Sequence, residues 1–323
     1  MILYSLLTVG VSLLVRIIYG VYCKRNFDEC KTFVFTLDRG IFKEMLAFAG
    51  WNSVGVLSYT LREHGSNIVL NMFFGPTVNA AKGISTQVLG ALTKFSGSFM
   101  MALNPQITKT YASDEKDRVM TLVFQGARLS YYMMFLISLP ILISTNQILS
   151  LWLGVVPEYA IVFVQLSIIS SLITTLMTPL LTLMQATGDI RNYQIADACV
   201  TLFSLPMSYV LLRMGLYPEA VLVVNIVILS MSLLVQLFML KGMVGLPFLK
   251  FVKEVISNVF LVSVMSTIIP LVLSMYFSHS FGSFILLSIV AILSTVITVY
   301  TIGCNEAERE LIIKTIKQKF SIN

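Results

Sequence analysis

Four basic residues stand where the sequence is otherwise apolar: Arg62, Lys82, Lys94 and Arg128. A cation at the middle of a membrane-spanning helix costs about 2.5 to 3.5 kcal/mol on insertion scales, so such groups face a protein interior or a wet cavity. In a space of low dielectric, guanidinium and ammonium groups select anions, and phosphates are the usual partners where several are gathered. Polar neighbours at helical spacing extend the pattern. Thr60, His64, Asn67 and Asn71 fall on one stripe before Gly75. After it, Gly83, Gln87, Gly90, Lys94, Gly97 and Met101 recur every three or four residues, beside a second row of Lys82, Thr86 and Thr93. The candidate substrate contacts are therefore Arg62, Lys82, Lys94, Arg128, His64, Asn67, Asn71 and Gln87. The glycines, serines and threonines can equally be read as close-packing and hydrogen-bonding residues between helices, but packing does not require cations.

The elements that must position these residues follow from composition. Of 323 residues, 57% are hydrophobic and 12% charged, and the mean hydropathy is +0.86. Water-soluble domains run to about 25% charged residues, so an ordinary soluble protein is excluded. The apolar residues come in long blocks, and a hydrocarbon core of about 30 Å takes about 20 helical residues. The fold class read from this is an all-α polytopic membrane bundle with about nine spans, near 2–21, 45–73, 77–103, 121–143, 160–184, 192–213, 218–240, 255–278 and 281–303. Gly75-Pro76 divides the second from the third, and Asn104-Pro105 is expected to close the third. Ala186 to Asp189 separates the fifth from the sixth, and Tyr217-Pro218 starts the seventh.

Charge then orients the bundle. Sixteen of the 22 lysines and arginines fall in loops on one side: Lys24, Arg25, Lys31, Arg39 and Lys43; Lys109, Lys116 and Arg118; Arg191; Lys241, Lys250 and Lys253; and Arg309, Lys314, Lys317 and Lys319. By the positive-inside rule that side is cytoplasmic, with the N-terminus outside and the C-terminus inside. Arg16 and Arg213 lie close enough to a membrane face to snorkel. At about 1.5 Å per residue, Arg128 lies about 10 Å and Lys94 about 13 Å from the cytoplasmic ends of their helices, with Lys82 and Arg62 in the outer half. The four form a ladder of positive charge. Glu63 is placed to neutralise one rung, and Asp197 is the other acidic residue clearly inside a span. Arg62-Glu63-His64 could instead stand above the outer interface if the second helix protrudes. The tail from Glu306 reads as an amphipathic surface helix, with Leu311, Ile312, Thr315 and Ile316 along one flank, or as a solvated charged tail.

Several chemistries lack their parts. Cys23, Cys30, Cys199 and Cys304 are too scattered for a disulfide scaffold or a zinc site. The nearest approach to a P-loop, Gly75 to Lys82, has the wrong spacing, which argues against an ATP-driven pump. Two histidines, His64 and His279, and no hydrolase motif leave metal-assisted and triad hydrolysis unsupported. No cofactor is expected, and a lone His64 gives little support to coupling by a proton or sodium gradient. The charge of +6 concerns membrane topology here and does not point to nucleic acid. Transport without covalent chemistry fits best. An exporter of cationic drugs would want acidic residues in its chamber, and a polysaccharide polymerase or ligase would want a sizeable polar loop bearing carboxylates.

Six strings carry a family resemblance: Arg16-Ile-Ile-Tyr-Gly-Val-Tyr-Cys-Lys-Arg, Phe48-Ala-Gly-Trp-Asn, Asn71-Met-Phe-Phe-Gly-Pro-Thr-Val-Asn-Ala-Ala-Lys-Gly-Ile, Asn104-Pro-Gln-Ile-Thr-Lys-Thr-Tyr, Leu151-Trp-Leu-Gly and Gln185-Ala-Thr-Gly-Asp-Ile. From the first helix to about residue 260 the chain resembles bacterial polysaccharide flippases of the Wzx type, in the multidrug/oligosaccharidyl-lipid/polysaccharide exporter superfamily. The resemblance implies movement of an undecaprenyl-diphosphate-linked oligosaccharide across the cytoplasmic (inner) membrane for O-antigen, capsule or exopolysaccharide. Its partners would be that anionic lipid-linked oligosaccharide, membrane lipids, and a polysaccharide polymerase with other assembly proteins. Cations lining the central cavity of such flippases are thought to meet the diphosphate or acidic sugars, a role that falls here on Arg62, Lys82, Lys94 and Arg128. The family pattern of two six-helix lobes implies that residues 1–21 are the last helix of a first lobe and 22–44 a cytoplasmic inter-lobe loop. Residues 45–240 would form the second lobe, 241–303 two additional spans and 304–323 a cytoplasmic tail. On that pattern the chain is truncated at its N-terminal side and needs a missing first lobe or an assembling partner.

Overall fold

Within lipid an apolar segment has no partner for its backbone polar groups other than itself, so uncharged runs of Leu, Ile, Val and Met fold as helices. The computed structural model describes residues 2–30, 38–276, 281–306, 308–310 and 313. His279 and the tail residues Leu311, Ile312, Thr315 and Ile316 lie outside them. All the regular structure among the described residues is helical. The helices are α1 (Ile2–Asn26), α2 (Arg39–Phe74), α3 (Pro76–Ala112), α4 (Lys116–Ile143), α5 (Thr145–Leu153), α6 (Ala160–Ala186), α7 (Arg191–Arg213) and α8 (Glu219–Val244), followed by α9 (Phe248–Tyr276) and α10 (Phe281–Gly303). Among the described residues seven of these are long and apolar enough to cross a membrane: α1, α4, α6, α7, α8, α9 and α10. The expected total of about nine also took in α2 and α3. At 36 and 37 residues they are long enough to span, but their charges and polar stripes keep them out of the apolar set.

Two compact units divide the chain, Met1–Ala47 and Phe48–Asn323. In the first, α1 is exposed from Ser5 to Asn26 apart from the half-buried Cys23, and its last turn carries Lys24 and Arg25. In the second, α6 is central and packs on α3, α4 and α8, while α7 lies on α8 and the α9–α10 pair lies on α4. Phe163, Ile168, Leu180, Leu183 and Met184 of α6 are fully buried. Because lipid tails are as apolar as leucine, contact between such helices rests on close packing and interhelical hydrogen bonds. Thr182 of α6 donates to Asn104 Oδ1 of α3 at 3.0 Å, and Gln165 Nε2 of α6 donates to the Leu142 carbonyl of α4 at 3.2 Å. The four cysteines are unpaired.

Most breaks fall where glycine and proline place them. Gly75 holds φ 75°, a left-handed angle open to glycine, and Pro76 opens α3. Gly188 does the same after α6, with φ 76°. Pro105 does not close α3, contrary to the sequence expectation: the helix runs on to Ala112, and the turn to α4 is only Ser113, Asp114 and Glu115. One proline removes a single backbone donor, and α3 is supported through this stretch by its packing on α6. Helix α5 was not foreseen. Its Leu149 is buried while Leu151 and Trp152 are exposed.

Gly126 of α4 marks a close helix approach. A Cβ there would run into Leu103 of α3 and lie 3.5 Å from Pro179 Cγ of α6. Gly126→Val is expected to cost about 1–3 kcal/mol by overpacking, seen as a lower unfolding midpoint in detergent. Gly90→Ala is expected to leave the midpoint unchanged or raise it slightly, since nothing lies within 4 Å of the added carbon.

Candidate functional site

Helix α2 buries a single stripe, Ser58, Arg62, Ser66 and Leu70, four residues apart. Two glycines bring α7 close to it. A Cβ on Gly55 would overlap the Gln194 side chain, and one on Gly65 would lie 2.7 Å from Leu205 Cδ2. Between these helices, α6 and α8 there is a cavity of about 400 Å³. Helix α2 supplies Asn52, Tyr59 and Arg62 to its wall, and α6 supplies Thr174, Thr178 and Gln185. Helix α7 adds Tyr193, Gln194, Asp197 and Thr201, and α8 adds Leu229, Ser232 and Gln236.

The charges on this wall are unusually placed. Arg62 is 8% exposed, its guanidinium carbon stands 5.0 Å from the Tyr59 ring centroid, and its Nε has no hydrogen-bond partner. Among the described residues it makes no ion pair within 4 Å. Asp197 lies beside Ser232 and Thr201 and within electrostatic reach of Arg62, and its Oδ1 is also unpartnered. Gln236 is fully buried, and neither atom of its amide is satisfied. A buried polar atom without a partner costs about 1–3 kcal/mol. Three such groups around one cavity make a site that a polar ligand or water completes.

The other sequence candidates lie elsewhere, so the expected ladder of four cations divides. Lys82 is buried and paired across to α2, its Nζ 3.2 Å from Glu63 Oε1. Lys94 and Gln87 are exposed on α3 in line with Gly83, Gly90 and Gly97. A Cβ on any of these three glycines meets nothing within 4 Å. Within the described residues this face therefore has no helix to pack against. His64 and Asn71 are exposed, and Asn67 is half-buried with its Oδ1 unpartnered. Arg128 is buried at 3% exposure, its Nη2 2.6 Å from Glu308 Oε1 and its Nη1 3.2 Å from Asn305 Oδ1. Its charge is already matched by the segment after α10.

Only Arg62 of the eight candidates lines the cavity. Sequence reading missed Gln194, Gln236 and most of the wall. The signal was present in the steps of three and four that join Gln194, Asp197 and Thr201, and Ser232 and Gln236, inside apolar helices.

Residues 53–210 match the MatE family. The MatE stretch runs from within α2 to near the end of α7, so it contains Arg62, Lys82, Lys94, Arg128 and Asp197. Members of that family, within the multidrug/oligosaccharidyl-lipid/polysaccharide exporter superfamily, are transporters rather than enzymes. No curated protein and no solved structure matches the chain.

Proposed function

We propose that this MatE-bearing chain moves an undecaprenyl-diphosphate-linked oligosaccharide across the bacterial cytoplasmic membrane for surface polysaccharide assembly. The observation that carries the reading is Arg62, buried on the wall of a polar cavity with no ion pair within 4 Å among the described residues. A guanidinium in a partly dry site prefers phosphate oxygens, which it can meet through two parallel N–H donors. Lys94, exposed on the uncovered face of α3 with Gln87, is placed to meet a charged head group passing along that face. His64, Asn67 and Asn71 would meet the sugar through hydrogen bonds. In this reading residues 45–240 act as one lobe, the basic loops face the cytoplasm, and a polymerase and other assembly proteins take the product. The test is thermal stabilisation of the detergent-purified protein by farnesyl diphosphate against farnesol. Stabilisation by the diphosphate that Arg62→Gln abolishes is expected, and equal effects of the two ligands would sink the reading.

A second reading has its own observation. Asp197 shares the cavity with Tyr59 and Tyr193, and a carboxylate in one chamber with aromatic rings suits an organic cation. An exporter of cationic drugs would be stabilised by tetraphenylphosphonium, with that effect lost in Asp197→Asn and kept in Arg62→Gln.

A further inference from the structure

Three buried basic residues each have an acid at hand, but not in the same way. Arg128 touches Glu308 at 2.6 Å, and Lys82 touches Glu63 at 3.2 Å. These are closed pairs with no space for a ligand between the charges. Arg62 and Asp197 instead line one cavity from different helices, α2 and α7, and stand further apart than the 4 Å of an ion pair. Asp197 is held beside the hydroxyls of Ser232 and Thr201 rather than against the guanidinium. Both groups keep an unpartnered buried atom, Arg62 Nε and Asp197 Oδ1.

We propose that Asp197 is a built-in competitor for Arg62, a fixed carboxylate that repels the anion Arg62 attracts and so decides which anionic head groups bind there. The proposal rests on the reading of Arg62 as an anion contact. A lone buried guanidinium is costly, and a nearby carboxylate offsets that cost whenever no ligand does. The same carboxylate repels an incoming anion. A compact head group lying about equally far from both gains from Arg62 about what it loses to Asp197, whatever its charge, because the two charges act on it from the same chamber with opposite sign. A diphosphate is longer and spreads its charge over several oxygens, so it can make short charge-assisted hydrogen bonds to Arg62 with one phosphate while the rest of its charge lies away from Asp197. The net preference is for multiply charged heads over carboxylates. The repulsion also keeps binding loose enough for release, since tight uniform binding would trap a substrate that has to leave on the other side.

The experiment measures binding of farnesyl diphosphate and of farnesoic acid, a single carboxylate on the same chain, to the purified full chain in detergent. Wild type, Asp197→Asn, Asp197→Ser and Arg62→Gln are compared, each checked for folding by size exclusion and thermal unfolding. Asp197→Asn is expected to bind the diphosphate roughly tenfold more tightly and to gain measurable binding of farnesoic acid. Arg62→Gln is expected to lose the diphosphate. If Arg62→Gln loses binding while the Asp197 variants bind no more tightly than wild type, the competitor role is overturned and the reading of Arg62 stands. If Arg62→Gln binds as wild type does, both fall. Failure of both Asp197 variants to fold would make Asp197 a structural tie between helices and would overturn the competitor role as well.

Discussion

Arg128→Ala is expected to destabilise the end of the bundle where α4, α9 and α10 meet by about 3–5 kcal/mol, the usual cost of removing one partner from a buried ion pair. Arg128 is 3% exposed, and the Glu308 side chain is 10% exposed. Truncation would leave that carboxylate charged in a site with little water. Glu308 serves two partners: Oε1 takes the guanidinium, and Oε2 accepts the Asn305 backbone N–H at 2.8 Å. The second contact is the glutamate half of a capping box, satisfying the Asn305 N–H ahead of the helical residues that follow. Next to it, Tyr132 of α4 donates to Asn258 Oδ1 of α9 at 2.7 Å, and Asn258 Nδ2 donates to the Ile302 carbonyl of α10 at 3.3 Å. Glu308→Gln keeps an oxygen for the cap and loses only the charge, so it should fall between wild type and Arg128→Ala. Arg128→Met combined with Glu308→Leu removes both charges and should recover much of the loss, because two apolar groups leave nothing unpaired. Cys304 provides a local readout beside thermal unfolding. Burial, with the Glu308 charge nearby, pushes its thiol up, so it should be alkylated slowly in wild type; in Arg128→Ala it should react faster because loosening of this end exposes the sulfur, which outweighs loss of the Arg128 charge that lowers the thiol. Identical unfolding and alkylation in the two proteins would refute the assignment.

That pair also shows where sequence reading stops. The partners are 180 positions apart, and an arginine in an apolar run looks the same whether an acid from the far end of the chain reaches it or not. Lys82 was different, since Glu63 lies in the neighbouring helix across a turn that Gly75 and Pro76 announce. Those breaks were legible because φ above zero and a missing backbone donor are local properties of the residue itself. Pro105 misled for the opposite reason: whether a proline ends a helix depends on what packs around it, and here α3 continues with α6 behind it. The cavity was half legible. Arg62 declared itself by charge, whereas Gln194 and Gln236 read as ordinary hydrogen-bonding residues between helices. Gln236 stands out only because neither of its amide atoms finds a partner, which is a statement about three dimensions. Gly83, Gly90 and Gly97 have the heptad spacing of a packing face, yet no described helix lies against them.

Charge reversal at Arg62 gives the largest expected change in ligand behaviour. Arg62→Glu replaces the buried cation of the cavity wall with an acid and leaves Asp197 in place, so among the described residues the chamber carries two carboxylates and no cation. At about 5 Å and an effective dielectric near 20, each unit charge is worth about 3 kcal/mol to a bound anion. Solvent relaxation reduces this, but two units of change still predict a loss of at least about a hundredfold in farnesyl diphosphate affinity. Arg62→Gln changes one unit and should lie between. The same arithmetic predicts a gain for cations. Tetraphenylphosphonium should bind Arg62→Glu more tightly than wild type, because like charges held in one chamber are relieved by a ligand of opposite sign, and Tyr59 and Tyr193 offer it ring faces. Arg62→Glu combined with Asp197→Arg keeps both charges and exchanges their positions. If net charge alone governed the site, this double variant would bind the diphosphate as wild type does. If position matters, binding should return only in part, since the guanidinium would then project from α7 beside Ser232 and Thr201 rather than from the buried stripe of α2 over Tyr59. Partial recovery is the expected result. Unchanged diphosphate affinity in Arg62→Glu would remove Arg62 from the substrate path altogether.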